Sequence, residues 1–312
     1  MAPVVTGAAA AGLAAWNLHR ARQAELRHPP AGRFVTVDGV RLHVLEKGDG
    51  RPVVLLHGNG VTAEDFRLSG VFDLAAARQY RVLAFDRPGF GHSERPRGVW
   101  VPARQAKLLH RAFLDLGVER PIVIGHSWGT LVALALALDF PDAVAGLVLL
   151  SGYYRPTLRA DVPPFSVPAI PIIGDLLRFT ISPPLSDAIV PLLVQRSFSP
   201  LPVSQRFAEG FPRGLAVRPS QIRAAAQDTA TMVSAAAAMR SRYAELRIPV
   251  VIIAGTEDRI VSHRAHAVWL NRQVAQSTLR LITGVGHMVH YAVPEQIVEA
   301  VETAGASVPS PG

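Results

Sequence analysis

A chain of 312 residues with 49% hydrophobic and 18% charged side chains can fill a large packed core, which excludes global disorder. It has no cysteine, which excludes a disulfide framework, thiolate metal sites and cysteine catalysis. The formal net charge of +8 is mostly arginine and contains no compact Lys/Arg block interleaved with aromatics, so it reads as a solvated basic surface with no nucleic-acid partner.

The chain opens with "APVVTGAAAAGLAAWNL", residues 2–18, which lack any ionisable side chain, and continues with "HRARQAELRHPP". A spanning helix usually needs about 20 solidly apolar residues, and this run leans on Ala and Gly. A secretory signal would carry a basic segment ahead of its apolar core, and here none precedes it. Residues 1–30 are therefore expected to form an apolar segment and basic linker. That segment is a candidate membrane anchor or interfacial helix, with residues 1–18 at a membrane surface; a signal peptide and a soluble helix are the alternatives. A cytoplasmic or membrane-associated location is expected over secretion.

From Arg33 the pattern becomes β-rich. "RFVTVDGVRLHVLEKG" predicts a hairpin turning at Asp38-Gly39. "RPVVLLHGNG" predicts a buried strand ending in glycines. "YRVLAFDRPGFGHSERP" and "ERPIVIGHSWG" repeat that plan, with a helix around Ala103 to Leu116 between them. "AVAGLVLLSG", "IPVVIIAGTEDRIV" and "STLRLITGVGHMVH" add further strands. Strands buried on both faces and separated by helices predict an α/β fold with a mainly parallel sheet flanked by helices. Chemistry in such folds gathers beyond the carboxyl ends of the strands. From Tyr153 to Leu246 the chain is proline-rich, with helical apolar runs and no comparable strand. The expected organisation is a core over 31–152 and 247–304, a helical cap over 153–246, and a flexible tail over 305–312.

Gly125-His126-Ser127-Trp128-Gly129 fits the G-x-S-x-G elbow, in which a sharp strand-to-helix turn lifts a serine above the sheet and its flanking positions must be small. A serine hydroxyl needs an adjacent base. Asp258 and His287 follow in the order acid then histidine, each just past a strand, and complete a candidate triad. Glu257 is the alternative acid. His290, three residues beyond His287, reads as a pocket or packing residue with a lesser claim to be the base, and His126 reads as support for the turn. The "LLHGNG" strand end places the Asn59 N–H where it can turn toward the serine, and the Trp128 N–H is the second oxyanion donor. No close-spaced ligand set points to a metal.

These residues resemble the α/β-hydrolase superfamily over roughly Phe34 to Ala300. The resemblance is carried by the His57-Gly58 turn, the Asp86-Arg87-Pro88-Gly89-Phe90-Gly91-His92-Ser93 loop, the elbow around Ser127, Asp258 and His287. It implies an α/β-hydrolase fold with a helical cap inserted between core strands. Within the superfamily, "DRPGFGHSERP" and "GHSWG" are similar to motifs of the haloalkane dehalogenase and epoxide hydrolase branch. Enzymes of that branch use an aspartate nucleophile where this chain has Ser127. The resemblance therefore implies a capped serine hydrolase without a cofactor, most simply a carboxylesterase. Carbon–carbon bond hydrolysis, small-amide hydrolysis, perhydrolysis and a non-catalytic binding role are the alternatives. The cap segment with Phe165, Ile170, Ile172, Ile173, Leu176, Leu177 and Phe179 favours a small hydrophobic ester as partner. The expected pocket comprises His57, His126, Phe165, Phe179 and His290.

Overall fold

The computed structural model of the chain describes residues 2–306, with side chains from Gly7 onward; positions 307–312 of the expected tail lie outside the described residues. Helix α1 (Ala2–Arg27) leads into the hairpin of β1 (Arg33–Val37) and β2 (Val40–Lys47). Asp38 (φ 49°) and Gly39 (φ 74°) turn that hairpin in left-handed conformations, which match the twist of the two strands. Next come β3 (Arg51–Leu56), α2 (Glu64–Ser69), α3 (Val71–Ala77), β4 (Tyr80–Phe85) and α4 (Pro102–Asp115). β5 (Ile122–His126), α5 (Gly129–Asp139) and β6 (Gly146–Leu150) follow.

The chain then leaves the sheet through α6 (Val162–Ser166), α7 (Ile173–Phe179), α8 (Ser182–Phe198), α9 (Gln205–Gly210), α10 (Arg213–Ala216) and α11 (Pro219–Met239). It returns with β7 (Val250–Gly255), α12 (Ala267–Gln273), β8 (Ser277–Ile282), α13 (Val289–Ala292) and α14 (Pro294–Gly305).

The eight strands form one sheet in the order β1-β2-β4-β3-β5-β6-β7-β8. β2 is antiparallel to β1 and β4, and the remaining pairs are parallel, as the doubly buried strands predicted. The pleat of β3 sends Val54 and Leu56 to the face covered by α4 and α5, and Val53 and Leu55 to the face covered by α3 and α14. Each such aliphatic side chain taken wholly from water contributes about 1.5–3 kcal/mol. β3 pairs with β4 on one side and β5 on the other, so the loops leaving β3 and β5 part at their carboxyl ends and open a crevice there.

Two expectations change at the chain ends. The basic stretch after Leu18 is not a linker but the second half of α1, packed on the helices inserted between β6 and β7. Asn17 is buried, and its Nδ2 donates to the Phe179 and Thr180 carbonyls (2.9 and 2.6 Å), satisfying acceptors that the end of α7 leaves open. Arg20 pairs with Asp187 of α8 (2.6 Å), and Glu25 with Arg218 (2.6 Å). Among the described residues no single helix is long and apolar enough to cross a membrane. Gly305, assigned to the tail, closes α14, and its carbonyl accepts from Arg51 (2.8 Å).

α5 begins hard against the end of β3: a Cβ at Gly129 would stand 2.2 Å from the Leu56 carbonyl oxygen. Gly129→Ala is expected to cost about 3 kcal/mol in urea unfolding. Gly12→Ala, in open space on α1, should change stability by less than about 1 kcal/mol. Equal effects would contradict this packing.

Candidate active site

Ser127 occupies the turn between β5 and α5 with φ 50°, a left-handed backbone that costs a non-glycine residue about 1–2 kcal/mol. The turn is held from both sides. The Ser127 N–H donates to the Leu150 carbonyl at the end of β6 (2.8 Å), and the Ser127 carbonyl accepts from the Thr130 N–H (3.1 Å) and hydroxyl (2.6 Å). A Cβ at Gly125 would lie 2.8 Å from the Gly129 carbonyl oxygen, so the flanking glycines are steric requirements of the turn.

The structure brings Ser127, His287 and Asp258 together. His287 Nε2 lies 2.9 Å from Ser127 Oγ, and His287 Nδ1 lies 2.7 Å from Asp258 Oδ2. An acidic acceptor at Nδ1 places the ring proton there and leaves Nε2 to accept from the hydroxyl. The Asp258 carboxylate is fully buried, and its Oδ1 accepts the N–H groups of Ile260 (2.7 Å) and Val261 (2.8 Å), which fix its rotamer. Glu257, the alternative acid, is exposed. The His287 loop is fixed by the inserted helices: the N–H groups of His287 and Met288 donate to the Ser197 carbonyl in α8 (3.0 and 3.3 Å).

Gly58 leads out of β3 directly against the serine, where a Cβ would meet Ser127 Cβ at 3.2 Å. Neither the Asn59 nor the Trp128 N–H has a partner among the turn, loop and cap bonds of the described residues. Both residues are anchored by their side chains to one stretch of α11. Asn59 Nδ2 donates to the Ala225 carbonyl (3.1 Å) and Thr229 Oγ1 (3.0 Å), and Trp128 Nε1 donates to the Asp228 carbonyl (2.9 Å).

Beneath that anchor is a buried ion network. Arg87, wholly enclosed, pairs with the equally enclosed Asp228 (2.6 Å) and donates to the carbonyls of His57 (2.8 Å) and Gly58 (2.9 Å). Its guanidinium also lies 4.5 Å from the ring centroids of both Phe90 and Trp128. Arg95 supplies a second cation to Asp228 (3.0 Å). Asp86, heading the same loop, holds His43 Nδ1 (2.7 Å) and accepts the N–H groups of Ala63 and His92 (2.8 and 2.9 Å).

The three histidines expected in the pocket are buried supports instead. His57 Nδ1 donates to its neighbour's carbonyl, and Nε2 accepts the Arg87 N–H (2.9 Å). Burial, with the nearby Arg87 charge, lowers its pKa to about 3. His126 Nε2 donates to the His287 carbonyl (3.2 Å); burial, then the neighbouring rings of His290 and His287, keep it well below the usual histidine value. His290 Nε2 meets Asp65 Oδ2 (2.9 Å), and Tyr291 donates to Asp65 Oδ1 (2.8 Å). Asp65, His126 and His290 each offer a ligand atom within 4.8 Å of the others, but both Asp65 oxygens are already in hydrogen bonds. Phe165 is exposed on α6, and the Phe179 ring lies under the Arg178 guanidinium (4.2 Å).

The sequence profile of the alpha/beta hydrolase family matches residues 53–300, which run from β3 into α14 and include Asn59, Ser127, Trp128, Asp258 and His287. The chain belongs to the alpha/beta hydrolase family. This hydrolase is 28% identical over 264 residues to the 2-hydroxy-6-oxo-2,4-heptadienoate hydrolase of Pseudomonas putida, covering 83% of this chain and 90% of the relative. It is 38% identical over 144 residues to epoxide hydrolase A of Mycobacterium tuberculosis, 43% of this chain and 42% of that one. Among solved structures, an esterase from Thermogutta terrifontis matches with a TM-score of 0.69 at 22% identity, over 87% of this chain and 97% of its own, a likeness of fold.

Asp65, Arg95 and Asp228 were not singled out from the sequence, and Arg87 was named only as part of the Asp86 to Ser93 loop. Asp228 did leave a trace, as a lone acid in the alanine-rich "RAAAQDTATMVSAAAAM". Asp228→Asn would strand the buried Arg87 charge and is expected to cost about 3–5 kcal/mol in urea unfolding. Asp187→Asn, whose arginine partners are solvated, should cost less than about 1 kcal/mol. The buried rings add a pH dependence. His57 titrates near 3 and His266, also depressed mainly by burial, near 4, against 6.5 in the unfolded chain. Protonation therefore favours unfolding, and the stability these rings contribute is complete above pH 6.5 and lost as pH falls toward 4. Each ring steepens the loss by about 1.4 kcal/mol per pH unit. A urea midpoint that stays flat between pH 6.5 and 4.5 would contradict their neutral burial.

Proposed function

We propose that this hydrolase is a serine esterase acting on esters with a hydrophobic acyl or alcohol group. The observation that carries the reading is the unbroken chain from Ser127 Oγ through His287 to the buried Asp258 carboxylate, at 2.9 and 2.7 Å. Ser127 Oγ attacks the ester carbonyl while His287 Nε2 takes its proton. Asp258 keeps the ring in the required tautomer and stabilises the imidazolium that forms. The negative charge developing on the carbonyl oxygen is met by the N–H groups of Asn59 and Trp128, each worth about 3 kcal/mol of barrier. Their placement depends on the Arg87–Asp228 network behind them. His287 then protonates the leaving alcohol, and water deacylates Ser127 by the reverse path.

The nucleophile limits the chemistry. A serine opening an epoxide or displacing a halide would become an alkyl ether, which water at this site has no carbonyl to attack. An acyl substrate leaves a hydrolysable ester. A second reading, hydrolysis of a carbon–carbon bond beside a ketone, is favoured by the name of the Pseudomonas putida relative, which spans most of both chains. The same attack on a carbonyl would serve it.

Purified protein is expected to label with a fluorophosphonate probe and to hydrolyse p-nitrophenyl esters with a preference for longer acyl chains. Ser127→Ala should abolish labelling and lower kcat/KM by at least about 10³-fold, and Asp258→Asn by about 10³–10⁴-fold. Turnover of 2-hydroxy-6-oxo-2,4-heptadienoate exceeding that of every ester would replace the esterase reading with the second one. Unlabelled, folded wild-type protein would sink both.

A further inference from the structure

A large apolar face on the inserted helices has no counterpart in the catalytic reading. Between Pro163 and Leu193 the exposed positions are apolar apart from Asp175, which is paired with Arg178 (2.8 Å). On α8 the exposed side chains Ile181, Leu185, Ala188 and Leu192 recur at intervals of four, three and four residues and so form one stripe along the helix. A solvated helix would carry polar residues there, yet Leu192 is 66% exposed. Ile172, just before α7, and Leu176 on it are 83% and 62% exposed. α7 and α8 meet at 72°, and neither helix alone is long and apolar enough to cross a membrane.

α1 continues this face. It is anchored beside α7 by Asn17 and beside α8 by Arg20, and its buried side chains, among the described residues, are Asn17 and Ala24 in the second half. At about 1.5 Å per residue, its N-terminal half, which carries no ionisable side chain, reaches roughly 20 Å beyond that anchor. Trp16 and Leu18 are exposed where the helix turns from apolar to basic, with Arg22 one turn on. Apolar side chains rimmed by arginines, with an aromatic at the boundary, are what an interfacial helix presents to a bilayer.

We propose that α1, α7 and α8 dock this protein on the surface of an anionic lipid bilayer. Charge selects that occupant over a second copy of the chain: two copies of net charge +8 would bring like charges together around the face, whereas anionic headgroups complement it. α8 leads from the stripe to Ser197, whose carbonyl holds the His287 loop, so the helix that carries the docked face also supports the Ser127 site. Resting on the esterase reading above, this makes a lipid-dissolved ester the substrate class.

The test is flotation of the full chain with phosphatidylcholine–phosphatidylglycerol vesicles and with phosphatidylcholine vesicles, beside sedimentation equilibrium without lipid. Wild type should float with the anionic vesicles, at least about tenfold less with the neutral ones, and less at high salt. The triple variant Ile181→Glu, Leu185→Glu, Leu192→Glu should stay at the bottom while keeping the wild-type circular dichroism spectrum and fluorophosphonate labelling. Arg22→Glu with Arg27→Glu, which leaves the apolar stripe intact, should weaken flotation independently. Wild type that floats with neither vesicle overturns the proposal. So does a wild-type dimer that the triple variant converts to monomer, because a second copy would then cover the face. Flotation is read without turnover, so failure of the esterase reading would show separately, as absence of labelling.

Discussion

The whole candidate site hangs on the left-handed backbone of Ser127. A parallel strand delivers the chain to the top of the sheet, and a helix must carry it away on one face. Only a turn this sharp leaves a side chain standing between them, and it closes only because Gly125 and Gly129 allow the backbone of α5 to lie against β3 and β5. The strain at one residue is small beside the burial of α5, which is apolar all round and enclosed from Gly129 to Leu138. Packing of the helix therefore holds the serine in place.

The second constraint is the buried pair of Arg87 and Asp228. It joins a core loop to a helix of the insertion, and both candidate oxyanion residues are tied to the same turn of α11. A charge pair so deep adds little net stability over apolar residues of the same shape, but breaking one half is costly. That asymmetry fits a part whose role is to set position. With the bond from α8 to the His287 loop, it makes the insertion a structural member of the site: α11 fixes Asn59 and Trp128, and α8 fixes the histidine side.

Which parts were legible in the sequence follows from range. The sheet, the hairpin at Asp38-Gly39 and the elbow were readable because their signals are local: alternation or continuity of apolar residues, a turn dipeptide, glycines around one serine. Asp258 and His287 could be named because each follows its strand at a place where the fold puts loops over the sheet. Arg87, Asp65 and Asp228 could not be given roles, because their partners lie far along the chain and a charged residue in a helix reads as solvated until its neighbour is known. His57, His126 and His290 were drawn toward the pocket by their chemistry, while the structure buries all three as supports. In α1, Asn17 reads in the sequence only as a polar residue near the end of the apolar run; in the structure it is a contact that fastens the helix to the insertion.

The central claim is that an acyl group passes through Ser127. Acid-quenching the protein with a p-nitrophenyl ester in the first turnovers, followed by peptide mass spectrometry, tests it most directly. The account predicts an acyl adduct on Ser127, formed with a burst of p-nitrophenol stoichiometric with enzyme. Steady hydrolysis with the adduct on another residue, or turnover in Ser127→Ala matching wild type, would contradict it.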